Sequence, residues 1–304
     1  DVYKRQGQYR EGLSELRWHW HGGAALPTRF RDVIPYWTGE HREGDRLLVG
    51  RDQGLGDMIM MLRYIPWLKA RGFAHVTLEV PAELFELARD VPGYDQLMCF
   101  GDPIDTTAYD VFVPATSLPL VFETRLDSIP APIPYLKPRA DAVEHWDRRL
   151  HSGAARKIGI VWSGNPQFRG NAVRSCRLDH FAPIAALEGV MLYSLQFGAT
   201  DAVRAASFSV TDATEGIGSL ADTAALLSNL DLLLTIDSAP AHLAGALGLP
   251  VWVLLSTRSH WIYHLDTETT PWYPTMRLFR QEKTYTWDPV FERVRAALSA
   301  QKAP

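Results

Sequence analysis

The chain has 304 residues, of which 46% are hydrophobic and 22% charged, the profile of a folded protein with one large or two medium domains and not of a disordered chain. A formal net charge of -4 gives no broad electrostatic footprint for nucleic acid or an anionic membrane, so no nucleic-acid partner is expected and any basic site must be local. The two cysteines, Cys99 and Cys176, stand far apart, which argues against a disulfide scaffold or a thiolate metal site and fits a cytoplasmic location.

Asp1 to Gln6 read as a translated sequencing-adapter scar and are set aside. Gly7 to Trp20 carries Tyr9, Leu13, Leu16 and Arg17 at helical spacing before Trp18-His19-Trp20. One helix cannot bury its own apolar face, so it either docks on the next domain or is the end of a helical-repeat array. Pro27 to Gly44 reads as an irregular connector, closing a first segment at residues 7–44.

Strands are predicted at Arg46 to Val49 and His75 to Val80, with helices at Asp57 to Ala70 and Pro81 to Arg89, an alternation that implies a parallel sheet. Two more short strands follow at Gln96 to Phe100 and Tyr109 to Val113. Between Pro130 and Pro138 four prolines interrupt the chain, which removes backbone donors and marks a linker at residues 130–140 between domains at 45–129 and 141–288. Beyond it come a helix near Asp141 to Leu150 and strands at Lys157 to Trp162, Val190 to Leu195, Leu232 to Ile236 and Val251 to Leu255. The stretch Leu243 to Leu255 is broken by Gly245, Gly248 and Pro250, and falls short of the roughly 18 residues of a membrane helix. A last helix, within 289–304, is placed to tie back onto the first domain.

Three segments after strands carry candidate chemistry. In Gln53-Gly54-Leu55-Gly56-Asp57 the glycines open a turn into a helix, and Asp57 either caps that helix or accepts a proton from an attacking hydroxyl. A dinucleotide fingerprint would need glycine where Ile59 stands. The loop from Trp162 to Ser175 offers Ser163, Gly164, Asn165 and Arg174, an inventory able to neutralise a diphosphate without a metal. At Asp237-Ser238-Ala239-Pro240-Ala241-His242 a helix starts at the end of a buried strand, where unpaired amides can hold a phosphate; the alternative is a plain N-cap with His242 on the helix surface. No Asp-x-Asp, phosphate-loop or nucleophile-elbow motif occurs.

These segments, together with Tyr9-Arg10-Glu11-Gly12, Leu62-Arg63-Tyr64, Ser117-Leu118-Pro119, Pro134-Tyr135-Leu136, Ser194-Leu195-Gln196, Ala221-Asp222-Thr223-Ala224, Ala241-His242-Leu243-Ala244-Gly245 and Pro271-Trp272-Tyr273-Pro274, make the chain resemble the glycosyltransferase module that follows tetratricopeptide repeats in bacterial proteins. That module is similar to the heptosyltransferase-type, family 9 transferases. Asp52 stands where the module has glutamate, and Arg174 where the heptosyltransferase type prefers lysine. The resemblance implies an α/β fold of GT-B type: two Rossmann-like domains facing across a cleft, the first on the acceptor side and the second binding the donor, preceded by a remnant helical-repeat segment. It implies an inverting, metal-independent transfer from a nucleotide-diphosphate sugar, with no cofactor, to a hydroxyl acceptor that is a protein, a lipid-linked saccharide or a polysaccharide. Upstream repeats would bind a protein partner. Asp57 maps to the general base. Ser163, Gly164, Asn165, Arg174, Asp237, Ser238 and His242 map to the diphosphate region, and Gln196 maps near the nucleoside. Rival expectations are a degenerate domain serving as a binding platform and a nucleotide-sugar epimerase.

Overall fold

A computed structural model describes residues 2–15, 30, 33–130, 132–150, 153 and 155–301. Leu16, Arg17, Trp18-His19-Trp20 and the start of the connector lie outside the described residues. The chain divides into two units, Asp1–Lys137 and Pro138–Pro304, and the division falls inside the proline-rich stretch.

The first unit begins with two short helices, α1 (Val2–Arg5) and α2 (Tyr9–Ser14). Tyr9 and Leu13 are buried, and α2 packs on the turn at Leu118–Val121. Docking on this turn accounts for the burial of Tyr9 and Leu13. The set-aside residues also pack: Lys4 is buried, and a Cβ on Gly12 would lie 2.5 Å from its Cγ. Next come β1 (Arg46–Gly50), α3 (Leu55–Met61), β2 (His75–Val80), α4 (Ala82–Ala88), β3 (Gln96–Cys99) and β4 (Val111–Pro114). The helix expected to run to Ala70 is α-helical only to Met61 and continues as 3₁₀ turns over Leu62–Trp67 and Lys69–Arg71. Pro66 explains part of this change, because it has no N–H to donate to the Leu62 carbonyl, as an α-helix would require. The four strands are parallel in the order β3-β2-β1-β4.

The connector is more regular than its composition suggests. Tyr36 bridges Phe112 in parallel, the Trp37 N–H donates to the Phe112 carbonyl at 2.7 Å, and the Phe112 N–H donates to the Pro35 carbonyl at 2.8 Å. The segment thus covers the β4 edge, satisfying backbone groups that an open edge would expose. Phe30, Ile34, Leu48 and Phe112 form a core cluster beneath it.

In the second unit α5 (Ala140–Arg149) precedes β5 (Arg156–Val161), β6 (Val190–Ser194), β7 (Thr211–Asp212), α6 (Leu220–Leu227), β8 (Leu232–Ile236), α7 (Ala239–Ala246), β9 (Val251–Leu255), β10 (Met276–Arg280) and α8 (Asp288–Ala300). All six strands are parallel in the order β10-β9-β8-β5-β6-β7. This is the doubly wound order, and its direction of winding reverses between β5 and β8. Strands buried on both faces need continuous apolar runs, and β8 and β9 supply them with every residue buried. The Ala221-Asp222-Thr223-Ala224 stretch opens α6, whose start is closed by a reciprocal Ser219–Asp222 capping box. Helix α8 places Val290, Phe291, Val294 and Leu298 in the second unit's own core, with the Phe291 ring 4.8 Å from that of Phe181. Its apolar face is used there.

Candidate functional site

Parallel sheets bind ligands at the carboxyl ends of the strands where the winding reverses, because the connections part there and leave a crevice. In the first unit that point lies between β1 and β4. The chain leaves β1 through Arg51, Asp52, Gln53 and Gly54. Gly54 is the extended N-cap of α3, and no side chain caps the helix. Asp57 sits in the first turn with its carboxylate carried back toward that cap: a Cβ on Gly54 would be 3.2 Å from Asp57 Oδ2. A glycine here leaves room for the carboxylate at the positive end of the helix. Burial lowers the Lys4 ammonium to about 8, and the opposing influence of the Asp57 charge is the next largest. Gln53 is exposed and Gly56 lies within α3.

Asp52 is the neighbour that sequence reasoning did not assign to the site. Its carboxylate accepts the Thr116 backbone N–H at 3.1 Å and the Thr116 hydroxyl as well, so it ties the loop after β1 to the loop after β4. Burial pushes its carboxyl up to about 6; the Thr116 hydrogen bonds oppose that shift and the Asp57 charge adds to it. Further along, the fully buried Arg63 donates from Nε to the Met60 carbonyl at 3.1 Å, from Nη1 to the Pro130 carbonyl at 3.5 Å and from Nη2 to the Tyr135 hydroxyl at 3.3 Å. Tyr135 in turn donates to the Ile59 carbonyl at 3.1 Å. The Leu62-Arg63-Tyr64 and Pro134-Tyr135-Leu136 stretches are therefore one clamp that holds the end of α3 against the start of the proline-rich segment.

In the second unit the crevice lies between β5 and β8. Asn171 organises the loop after β5: its Oδ1 accepts the Gly164 N–H at 2.9 Å, the Ser175 hydroxyl at 3.2 Å and Arg174 Nε at 3.5 Å, while its Nδ2 donates to Ser163 Oγ at 3.3 Å. Both side chains sit close against Gly164: a Cβ there would lie 2.3 Å from Arg174 Nη2 and 2.8 Å from Asn171 Oδ1. The Arg174 guanidinium stacks 4.6 Å above the Phe168 ring, which is 54% exposed. Asn165 instead turns its side chain onto its own loop, accepting the Gln167 N–H at 2.9 Å. Gln196 accepts the N–H groups of Trp162 and Ser163 at 3.2 and 2.8 Å, so it braces the start of the same loop. The end of the loop is held by Trp287, whose Nε1 donates to the Ser175 carbonyl at 2.9 Å.

After β8, Ser238 occupies the N-cap of α7 but does not cap it; its hydroxyl pairs with that of Thr235 at 3.0 Å. Pro240 fits the first turn, where the missing N–H costs nothing. Ser238 is thus the N-cap residue by its backbone, whose carbonyl accepts the His242 N–H at 3.4 Å, while its hydroxyl is turned to Thr235. His242 is buried, not on the helix surface, and its Nδ1 lies 3.1 Å from the Tyr273 hydroxyl. Asp237 accepts the His260 N–H at 3.1 Å, which ties this loop to the one after β9. Among the described residues no group of three or more His, Cys, Asp or Glu is arranged to hold a metal, and no helix is long and apolar enough to cross a membrane.

The structure of a family 9 glycosyltransferase from Veillonella parvula aligns with a TM-score of 0.57 at 12% identity, covering 87% of this chain and 93% of that one. The E. coli ADP-heptose LPS heptosyltransferase II aligns at 0.58 and 17%, covering 84% and 98%. The chain has the GT-B fold of these transferases. The E. coli heptosyltransferase WaaC, solved with ADP, aligns at 0.50 and 11% identity over 84% of this chain and 99% of that one. Among curated proteins, FlbA of Caulobacter vibrioides is 27% identical over 310 residues, 89% of this chain and 49% of that protein. The chain thus spans about half the length of this relative. No family model matches it.

Proposed function

We propose that this chain is a glycosyltransferase that moves a sugar from a nucleoside-diphosphate donor to a hydroxyl acceptor with inversion. The observation that carries the reading is the pairing, at the β5–β8 reversal, of the Ser163–Asn171–Arg174 network with the uncapped start of α7. Together they offer a guanidinium, hydroxyls and helix-end amides to one diphosphate. In this reading Asp57 takes the proton of the acceptor hydroxyl as its oxygen forms a bond to the sugar C1. The bond from C1 to the diphosphate oxygen breaks, and the charge on that oxygen is stabilised by Arg174, His242 and the α7 amides. Asp237 offers carboxylate oxygens, which suit sugar hydroxyls and not phosphate oxygens. In this reading Arg174 and the N–H groups carry the charge of the leaving group, and turnover should survive a chelator.

The solved relatives that name ADP-heptose and ADP make ADP-linked sugars the first donors to try. The test is release of ADP or UDP from ADP- and UDP-sugars, with and without EDTA, by the wild-type chain and Asp57→Asn. Chelator-resistant release that falls at least about 100-fold in Asp57→Asn, without loss of nucleotide binding, is expected. Equal turnover in a folded Asp57→Asn chain would remove Asp57 from the chemistry. Nucleotide binding without any turnover would leave a binding platform, and conversion of donor without acceptor or hydrolysis would indicate an epimerase.

A further inference from the structure

His242 and Gly245 lie one turn apart on α7 and so share a face of the helix. The ring of Tyr273, fully buried, lies against that face: its edge meets the His242 ring at a centroid distance of 5.7 Å and an angle of 75°. Its hydroxyl is 3.1 Å from His242 Nδ1. Gly245 makes this approach possible, because a Cβ there would lie 2.5 Å from Tyr273 Cδ1 and 2.7 Å from its Cγ. The tyrosine is fixed from its backbone side too, where its carbonyl accepts the Met276 N–H at 3.0 Å at the entry to β10. A short segment 31 residues downstream is thus built to deliver one phenol to one ring nitrogen.

A histidine that serves an anion must present N–H, and which nitrogen carries the proton is set by what the other one bonds. We propose that Tyr273 is a positioning residue: its hydroxyl donates to Nδ1, fixes the ring as the Nε2–H tautomer, and so turns His242 into an oriented donor for the diphosphate of the nucleotide sugar. The opposite arrangement, with Nδ1–H donating to the phenol, would leave Nε2 as an acceptor that repels phosphate oxygens. The inference rests on the donor reading above and adds to it the residue that orients the donor group. Gly245 acts through Tyr273 by leaving its ring room.

Two measurements on the full chain test this. The first is ¹⁵N imidazole NMR at pH 7.5, with the His242 signals assigned by their loss in His242→Ala. The wild type should show Nε2 protonated and Nδ1 as an acceptor, and Tyr273→Phe, which keeps the ring and removes only the hydroxyl, should give a mixture of tautomers. The second is calorimetric titration with ADP, UDP and inorganic diphosphate. Tyr273→Phe should weaken nucleotide binding about threefold to tenfold, the effect of one hydrogen bond, and should weaken it no further when added to His242→Ala. Gly245→Ala should reproduce both effects if it folds, and Tyr273→Phe decides the matter if it does not. Identical His242 signals in wild type and Tyr273→Phe, or an equal loss of affinity with and without His242, would overturn the inference while leaving the donor site standing. A folded wild type that binds none of the three ligands would overturn the donor reading and this inference with it.

Discussion

Replacing Asn171 with alanine removes the centre of the loop after β5. Two of its bonds are short enough to matter for stability, the one from Gly164 N–H at 2.9 Å and the one from the Ser175 hydroxyl at 3.2 Å. The contact with Arg174 Nε, at 3.5 Å, is at the limit of a hydrogen bond. At about 1 kcal/mol net for each of the two, with water able to reach this half-buried site, the loss is about 1–2 kcal/mol. For a unit of this size that lowers Tm by about 3–6 °C. The larger effect should fall on binding. Without Asn171 nothing fixes the Arg174 guanidinium beside Gly164, and it would remain on the Phe168 ring; losing one charge-assisted contact and the ordering of Ser163 weakens ADP binding about tenfold. Thermal denaturation and calorimetry on the same samples separate the two effects. A fallen Tm with unchanged ADP affinity would show that Asn171 only braces the loop, and would refute the anion site built around it.

Asp52 gives a pH prediction with a definite sign. Its carboxyl is raised from an ordinary 3.8 to about 6, so between these values the folded chain holds a proton that the unfolded chain has released. Stability from this group therefore falls as pH rises from about 4 to 6. Asp52→Asn should flatten that part of the pH–stability curve and raise stability relative to wild type at pH 7.5, read by urea denaturation at pH 4.5 and 7.5; an unchanged slope would contradict the burial argument. Arg63→Ala should cost about 2–4 kcal/mol, because it opens a cavity and strips partners from the Pro130 and Met60 carbonyls and the Tyr135 hydroxyl; a loss below about 1 kcal/mol in denaturant titration would show that the clamp is dispensable. Burial pushes the Cys176 thiol far up, so a disulfide reagent at pH 8 should modify Cys99 alone until denaturant is added, as mass spectrometry of the labelled peptides would show.

The long apolar strands could be read directly. Leu232 to Ile236 and Val251 to Leu255 have no surface face, so composition alone marks them as central and parallel. Strand β7 escaped because it has only two residues, and β10 because Arg277 and Arg280 interrupt its apolar residues. For the site, a strand followed by glycine or proline and then a helix was enough to place Asp57, Ser163 and His242 at the carboxyl ends of strands. Their supporting partners were not legible. Asp52 finds Thr116 at a separation of 64 residues and His242 finds Tyr273 at 31, and no local pattern encodes such pairings. Asn171 was within reach, seven residues from Gly164, but it sits among so many polar neighbours that its type alone does not distinguish it from Asn165, whose side chain accepts the Gln167 N–H within its own turn.

Trp287 closes the loop after β5 from the far end of the second unit, by holding the Ser175 carbonyl from the head of α8. Translation runs from the amino terminus, so the loop, its strand and the whole β5–β8 crevice are synthesised before that indole and the helix that seats it. Until α8 leaves the ribosome, the sheet lacks Val290, Phe291, Val294 and Leu298 as one of its covering layers, and the loop lacks its final anchor. On the donor reading proposed above, the loop that would meet the diphosphate gains this anchor only once α8 has been made.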